Sequence, residues 1–319
     1  MSPALAKANN GNWHTASRWQ RFLAPLAAVE VRSTWRGAAD GNILIALHAR
    51  RSADSIARFC EQRPDAPVAL VLTGTDLYRD IDVDPHARHS LECARLLVVL
   101  QDAGLDRLDA ASRRKARVIV QSAPALVAKE RAPDAADFVA VGHLREEKDP
   151  QTLMRAARLF GEDGAATARI VHLGASLDEP LADAARATMA ACPSYRWLGP
   201  LSHGAARRVI AQARALVHMS RIEGGANVVI EAIRSRVPVL ASRIDGNVGL
   251  LGSGYDGYFP AGDAPALAAL MRRFLHDAAF AAGLAAQCAR REPLFRVAAE
   301  RRAVRELLAD LSAPAGASG

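Results

Sequence analysis

The chain alternates short apolar runs with longer segments of helical spacing. In the first half, Val29–Arg32, Ile43–His48, Val68–Thr73, Leu96–Leu100 and Val118–Gln121 are predicted strands. Several are solid Val/Ile/Leu runs without polar alternation, the pattern of parallel strands covered on both faces. After the loop around Ala132-Pro133-Asp134 the alternation restarts, with strands predicted at Phe138–Val141, Ile170–Leu173, Tyr195–Leu198, Ala215–Met219 and Val237–Ala241. Strand–helix alternation given twice predicts an α/β fold of two doubly wound, Rossmann-like domains. The expected division is an N-terminal domain over residues 1–133 and a second domain over 134–294. A C-terminal helix over 295–311 is expected to pack back on the N-terminal domain, and 312–319 reads as a disordered tail. The opening is irregular. The loop-like Asn9-Asn10-Gly11-Asn12 follows only eight residues, and Pro3–Ala8 make a poor strand. A first strand is therefore expected to be irregular, or to lie upstream.

Composition narrows the class. A length of 319 residues suits two domains, and 50% hydrophobic with 24% charged residues is an ordinary soluble composition. Lys+Arg 41 against Asp+Glu 34 gives +7. That excess is spread along the chain, whereas a nucleic-acid binder gathers it in a patch or tail. Nucleic acid is thus not an expected partner. Only four of the basic residues are lysines: Lys7, Lys115, Lys129 and Lys148. No apolar run reaches 18 residues, so no spanning helix is expected. The first residues lack the charged-then-apolar order of a signal peptide. Cys60, Cys93, Cys192 and Cys288 form no CxxC and read as buried thiols of a cytoplasmic protein. His86 and His89 have HxxH spacing without further ligands, and no metal or other cofactor is expected.

Two segments carry candidate chemistry. The first is Arg221-Ile222-Glu223-Gly224-Gly225-Ala226-Asn227-Val228-Val229-Ile230-Glu231. It follows a predicted strand and opens a helix, so two carboxylates flank a Gly-Gly turn at a strand's carboxyl end. In open parallel sheets ligands bind there. The glycines allow close backbone approach, and the helix start offers free amides to a phosphate. Asn227 reads as a cap or early-turn donor. Glu231, about a turn inside the helix, can accept from both hydroxyls of a diol, while Glu223 reaches a second polyhydroxylated group. The second segment is Gly142-His143-Leu144-Arg145-Glu146-Glu147-Lys148-Asp149-Pro150, a basic loop after a strand, with Asp149-Pro150 starting the next helix. Lys148 and Arg145 oppose that helix's dipole unless an anion offsets them.

Together, GxLxxxKxP at Gly142–Pro150 and EGGANVVIE at Glu223–Glu231 resemble the family 4 glycosyltransferases. The resemblance implies a GT-B fold, two Rossmann-like domains facing a cleft, with a nucleotide sugar on the C-terminal domain. It implies that Lys148 binds the donor diphosphate, Glu223 the sugar hydroxyls and Glu231 the ribose diol. Gly142, Gly174, Leu198, Gly199, Leu201, Gly224, Gly225, Ala226 and Asn227 fall where that family places the donor. The family usually has Arg where this chain has His143, and Arg145 supplies the charge instead. Further segments, among them Asn9–Ala16, Ala46–Ser52, Leu72–Tyr78 and Gly246–Gly252, resemble the selenosugar synthases of selenoneine biosynthesis. That narrower likeness implies transfer of N-acetylglucosamine from UDP-N-acetylglucosamine to selenophosphate. An anionic acceptor needs cations and amides on the N-terminal domain. The candidates there are Asn10, Gly11, Asn12, His14, His48, Arg50 and Arg51. No residue stands out as a general base, which suits an anionic, polarisable nucleophile better than an alcohol. The alternatives are a family 4 enzyme acting on an alcohol and a non-catalytic nucleotide-sugar-binding module. No GxGxxG follows an N-terminal strand, which argues against a nicotinamide dehydrogenase.

Overall fold

A computed structural model describes residues 1–3, 5, 11–37, 41–132, 134–162 and 168–314. The described chain forms two compact units. The first comprises Met1–Ser122, Glu223–Gly225 and Arg296–Gly319, and the second Ala123–Ile222 and Ala226–Phe295.

The first unit is built on a parallel sheet of β1 (Leu44–Leu47), β2 (Val68–Val71), β3 (Leu96–Val99) and β4 (Ala116–Val118), in chain order. The solid apolar runs are explained by two covers, since successive side chains on a strand point to opposite faces. Val68 and Leu70 join a cluster with Ile56 and Phe59 of α2 (Ala53–Gln62), and with Ala87 and Leu91 of α4 (Pro85–Cys93). Between β2 and α4 the chain passes through a π-turn at Asp76–Asp80 and the short α3 (Ile81–Val83). Ala69 and Val71 face the other way. They pack with Trp19 and Phe22 of α1 (Gly11–Leu23), and with Val304 and Leu307 of α13 (Val297–Ser312). The buried Glu300 pins this second cover. It accepts from Arg18 Nε (2.6 Å), Trp19 Nε1 (2.8 Å), and the Ser122 amide (2.9 Å) and hydroxyl (2.5 Å).

The second unit has a six-stranded parallel sheet ordered β10-β9-β8-β5-β6-β7. Its strands are β5 (Phe138–Val141), β6 (Ile170–Leu173), β7 (Tyr195–Trp197), β8 (Ala215–His218), β9 (Val239–Ser242) and β10 (Tyr258–Phe259). The connecting helices are α6 (Pro150–Glu162), α7 (Glu179–Ala191), α8 (His203–Gln212), α9 (Asn227–Arg234) and α10 (Asp245–Leu251), followed by α11 (Ala264–His276) and α12 (Ala278–Arg291). From β5 the chain winds one way to β6 and β7, then returns beside β5 with β8 and winds the other way. That reversal puts a switch point between the carboxyl ends of β5 and β8. Phe138 of β5 meets Phe160 and Phe274 edge-on at 6.3 and 5.9 Å, which anchors α6 and α11 to the centre of the sheet.

The structure departs from the expectations of the sequence at four points. Val29–Arg32 forms no strand. Its valines pack beneath α1, and its carbonyls take isolated bonds, Val29 from Gln20 Nε2 and Arg32 from the Ser2 amide (2.9 Å), in place of a continuous ladder. The fourth strand is Ala116–Val118, two residues ahead of its predicted start, with the Ile119 amide adding one more bond to the Val99 carbonyl (3.0 Å) before the chain leaves β3. The two-residue β10 is too short to leave a sequence pattern. Among the cysteines, Cys192 and Cys288 are buried as expected, but Cys60 and Cys93 are only half-buried. Among the described residues no helix is long and apolar enough to cross a membrane, and no cluster of His, Cys, Asp or Glu is placed to hold a metal.

Candidate active site

At the switch point the chain's backbone closes on itself. After β5 and β6 the two loops run side by side: the Leu144 amide donates to the Ala175 carbonyl (2.9 Å), and Leu177 to Leu144 (3.2 Å). Gly174 has φ +154°, and a Cβ there would run into the Gly142 carbonyl, so only glycine lets these loops touch. Gly174 also donates to the Gly199 carbonyl (2.9 Å) and accepts from Trp197 Nε1 (2.8 Å). Leu198 is held by its amide on the His172 carbonyl (3.0 Å), with its side chain exposed, while Leu201 is half-buried. Gly142, His143, Gly174, Leu198 and Gly199 thus meet at one rim.

The basic loop follows. Arg145 leads into a 3-10 turn at Glu146–Lys148, and a Cβ at Gly142 would lie 3.5 Å from Lys148 Cγ and Cδ. The lysine stem therefore lies against the end of β5, and the residue is half-buried. Arg145 Nε is buried, and Glu147 Oε2 lies 3.9 Å from it. His143 is held differently from a cation. Its Nδ1 accepts from the Ala175 amide (3.1 Å), which places the proton of the neutral ring on Nε2. Burial, then the charges of Arg145 and Lys148, push its pKa below the ordinary value. His143 is thus a neutral donor, and the positive charge of this loop comes from Lys148 and Arg145.

A latch joins this loop to the one after β8. The Arg221 amide donates to the Glu147 carbonyl (2.9 Å), and its Nε meets Asp149 Oδ2 at 3.1 Å. Asp149 is buried in a left-handed conformation (φ +45°) and also accepts from Thr152 Oγ1 at 2.7 Å. Beyond Arg221, Glu223 is half-buried, and Glu223–Gly225 group with the first unit. A Cβ on Gly224 would lie 2.5 Å from the Thr73 carbonyl carbon and 2.8 Å from the Gly74 nitrogen. At Gly225 it would lie 2.9 Å from Leu100 Cβ. The Thr73–Gly74 backbone therefore takes the space Gly224 leaves open, and the Leu100 and Gln121 side chains that at Gly225. Helix α9 begins at Asn227 with Ala226 in the cap position and no side-chain cap, so Asn227 is a first-turn residue and not the cap.

Glu231 is buried one turn into α9, and its Oε1 is 2.5 Å from His203 Nε2. His203 is the first residue of α8, capped by Ser202, whose hydroxyl accepts from the Ala205 amide. Sequence reading stopped two residues short of it at Leu201, because a partner 28 positions from Glu231 leaves no local signal. The Arg221–Asp149 pairing and His203 are what only the tertiary structure adds.

The first unit's candidates are arranged differently. Asn10 lies outside the described residues. Gly11 is exposed at the start of α1, where its carbonyl accepts from Thr15 Oγ1, and Asn12 and His14 are half-buried on the first turn. His48 follows β1 with φ +73° and is buried. Its Nδ1 accepts from the Arg51 amide (3.4 Å), so Nε2 donates to Thr75 Oγ1 (3.1 Å). Burial outweighs the nearby Asp76 charge and holds its pKa below the ordinary value. Asp76 is itself buried, with Oδ1 accepting from the Thr73 and Gly74 amides (both 2.9 Å) and Oδ2 from Ala49 (3.0 Å). Arg50 is exposed and pairs with Asp84 Oδ2 at 2.9 Å, with Asp80 Oδ1 at 4.0 Å. Arg51 is exposed.

Residues 125–291 match the family model described as Glycosyl transferases group 1. No curated protein matches the chain by sequence. Solved structures match the fold. S. aureus TarM, in a G117R mutant crystallised with Fondaparinux, alpha-GlcNAc-glycerol and UDP, shares 14% identity at a TM-score of 0.65, over 84% of this chain and 55% of its own. The chain thus spans little more than half the length of TarM. Anabaena Alr3699/HepE, with UDP and glucose, shares 15% identity at 0.69, over 84% and 78%. A UDP-forming α,α-trehalose-phosphate synthase from Burkholderia xenovorans shares 13% identity at 0.70, over 86% and 74%. The likeness to these structures makes the two parallel-sheet units a GT-B fold. The family model covers more than half of the chain, with the β5 loop, the β8 loop and α9 inside it, and the chain belongs to the group 1 glycosyl transferases.

Proposed function

We propose that the protein transfers N-acetylglucosamine from UDP-N-acetylglucosamine to selenophosphate, forming a carbon–selenium bond and releasing UDP. The observation that carries the donor side is the meeting of two cations with a latched carboxylate loop at the switch point between β5 and β8. Glycosyl transfer builds oxocarbenium character on the sugar while charge gathers on the departing diphosphate. Lys148 and Arg145, together with the first-turn amides of α9, which carries no side-chain cap, stabilise that charge. Neutral His143 donates Nε2–H to a phosphate oxygen. Glu231, with Oε1 on His203, offers Oε2 to the ribose diol, and Glu223 takes the sugar hydroxyls. UDP in the TarM and HepE structures supports a uridine donor. The acceptor rests on the sequence likeness of the N-terminal segments.

One observation favours a second reading, an alcohol acceptor. Arg50 is already paired with Asp84 and lies near Asp80, so its charge is largely met within the first unit. Mass spectrometry of the products from UDP-N-acetylglucosamine with selenophosphate, and in parallel with alcohols, separates the two. A selenium-bearing N-acetylhexosamine phosphate is expected. Donor consumption that needs an alcohol and ignores selenophosphate would overturn the selenophosphate reading, and no consumption with either would leave a binding module.

A further inference from the structure

Two of the four cysteines are half-buried and next to each other. Cys60 lies near the end of α2, and Cys93 is the last residue of α4, the helix packed against α2. The Cys60 thiol donates to the Cys93 carbonyl, with Sγ 3.9 Å from that oxygen, and the Cys93 side chain is close enough to help raise the Cys60 pKa. We propose that Cys60 and Cys93 form a thiol pair that a low-molecular-weight disulfide such as oxidised glutathione converts, reversibly, to an intrachain disulfide.

The surroundings make the pair unequal. One turn before Cys93, His89 places Nε2 3.4 Å from Cys93 Sγ, while its Nδ1 faces Glu92 Oε2 at 3.5 Å. A proton held on Nδ1 by that carboxylate leaves Nε2 as the base for the Cys93 thiol. The Lys115 ammonium sits beside it, donating to the carbonyls of Leu91 and Ala94 (both 2.7 Å). The imidazole gives the Cys93 proton an acceptor within hydrogen-bond reach. Cys60 donates instead to the Cys93 carbonyl. Burial, then the neighbouring Cys93 and Glu61, push its thiol up to about 12. Cys93 is therefore the attacking sulfur and Cys60 the resolving one.

The exchange balances in two steps. The Cys93 proton passes to His89, and Cys93 sulfur attacks the reagent's S–S bond. One glutathione thiolate leaves and takes up that proton. Cys60 sulfur then attacks Cys93 Sγ and expels the second glutathione thiolate, which takes the Cys60 proton. The protein dithiol is oxidised by two electrons, and one glutathione disulfide is reduced to two thiols. Cys93 closes α4, and helix ends fray more readily than helix interiors, so the small adjustment a disulfide needs is available there.

The test incubates the full chain in oxidised/reduced glutathione mixtures, alkylates the remaining thiols, and reads intact mass and a non-reducing peptide map. Wild type is expected to give a Cys60–Cys93 cross-linked peptide that reduced glutathione reverses. Cys60→Ser is expected to trap one glutathione on Cys93. Cys93→Ser is expected to acquire glutathione on Cys60 at least tenfold more slowly. Absence of the cross-linked peptide from wild type overturns the proposal without reference to any variant. Equal adduct rates in the two variants overturn the assignment of Cys93 as the attacking sulfur.

Discussion

Both units end parallel strands in loops rich in glycine and charge, yet they use those loops in opposite ways. In the first unit the chain supplies its own anion. Asp76 fills the amides of Ala49, Thr73 and Gly74, and Arg50 is met by Asp84. In the second unit the corresponding ends of β5 and β8 gather Lys148, Arg145 and an α9 start without a side-chain cap. The strand orders account for the difference. Among the described residues the first sheet runs in simple sequence, β1 to β4, without a reversal, whereas the second reverses between β5 and β8, the place where open parallel sheets bind ligands. Where the chain supplies its own anion the loop is held in place, and in the function proposed above the cations of the second unit face the donor's phosphates.

The sharpest way to break this contrast is at Lys148. If the function proposed above holds, Lys148→Ala is expected to lower kcat/KM for the nucleotide sugar by about 100-fold or more, since it removes a fixed charge from the departing diphosphate. Thermal unfolding should stay close to wild type. A large loss of stability with little change in donor use would reverse the roles assigned to the two units. Next comes Glu300→Ala in the first unit. It deletes the carboxylate that meets Arg18, Trp19 and Ser122, and is expected to cost about 3 kcal/mol in denaturant unfolding, as for other buried pairs broken on one side. The donor Kd of the remaining folded protein should not move.

Acid provides a third probe. His172, fully buried on β6 against the Tyr195 hydroxyl, has its pKa pushed by burial from 6.5 to about 4. A folded-state pKa below the unfolded one means the contribution is whole above pH 6.5 and is lost as pH falls toward 4. At pH 5 the loss from this residue is about 2 kcal/mol. His172→Gln is expected to flatten the slope of stability against pH between 6.5 and 4, and an unchanged slope would remove His172 from the account. The smallest effect is expected at His203. His203→Ala frees Glu231 Oε1 and should raise the donor KM about tenfold with kcat little altered, while His203→Asn recovers part of it. An equal fall in kcat would show that His203 does more than position the carboxylate.

The alternation of apolar runs was enough to read the parallel α/β class, and eight of the ten predicted strands coincide with observed ones to within two residues, because parallel strands buried on both faces leave a dense apolar signature. Val29–Arg32 failed for the same reason in reverse: valines packing under a helix look like a strand when only burial is visible. The positions of Gly142, Lys148 and Glu231 in the fold were legible because each sits at a fixed offset from a strand end or a helix start. The state of His143 was not, since its tautomer depends on the Ala175 amide, 32 residues away. Nor were the glycines' neighbours: Gly224 reads as room for a ligand, and the fold fills that room with the Thr73 backbone.

By itself, then, the sequence determined which residues are apolar on a strand's schedule, where the loops fall, and which charges those loops carry. These are local properties, set by spacing. Only the tertiary structure decided which charges are already answered. Asp84 answers Arg50, Asp149 answers Arg221, His203 holds Glu231, and Cys93 sits beside Cys60. Each of those pairings joins residues far apart in the chain, and strand order, which no local pattern encodes, brings them within reach.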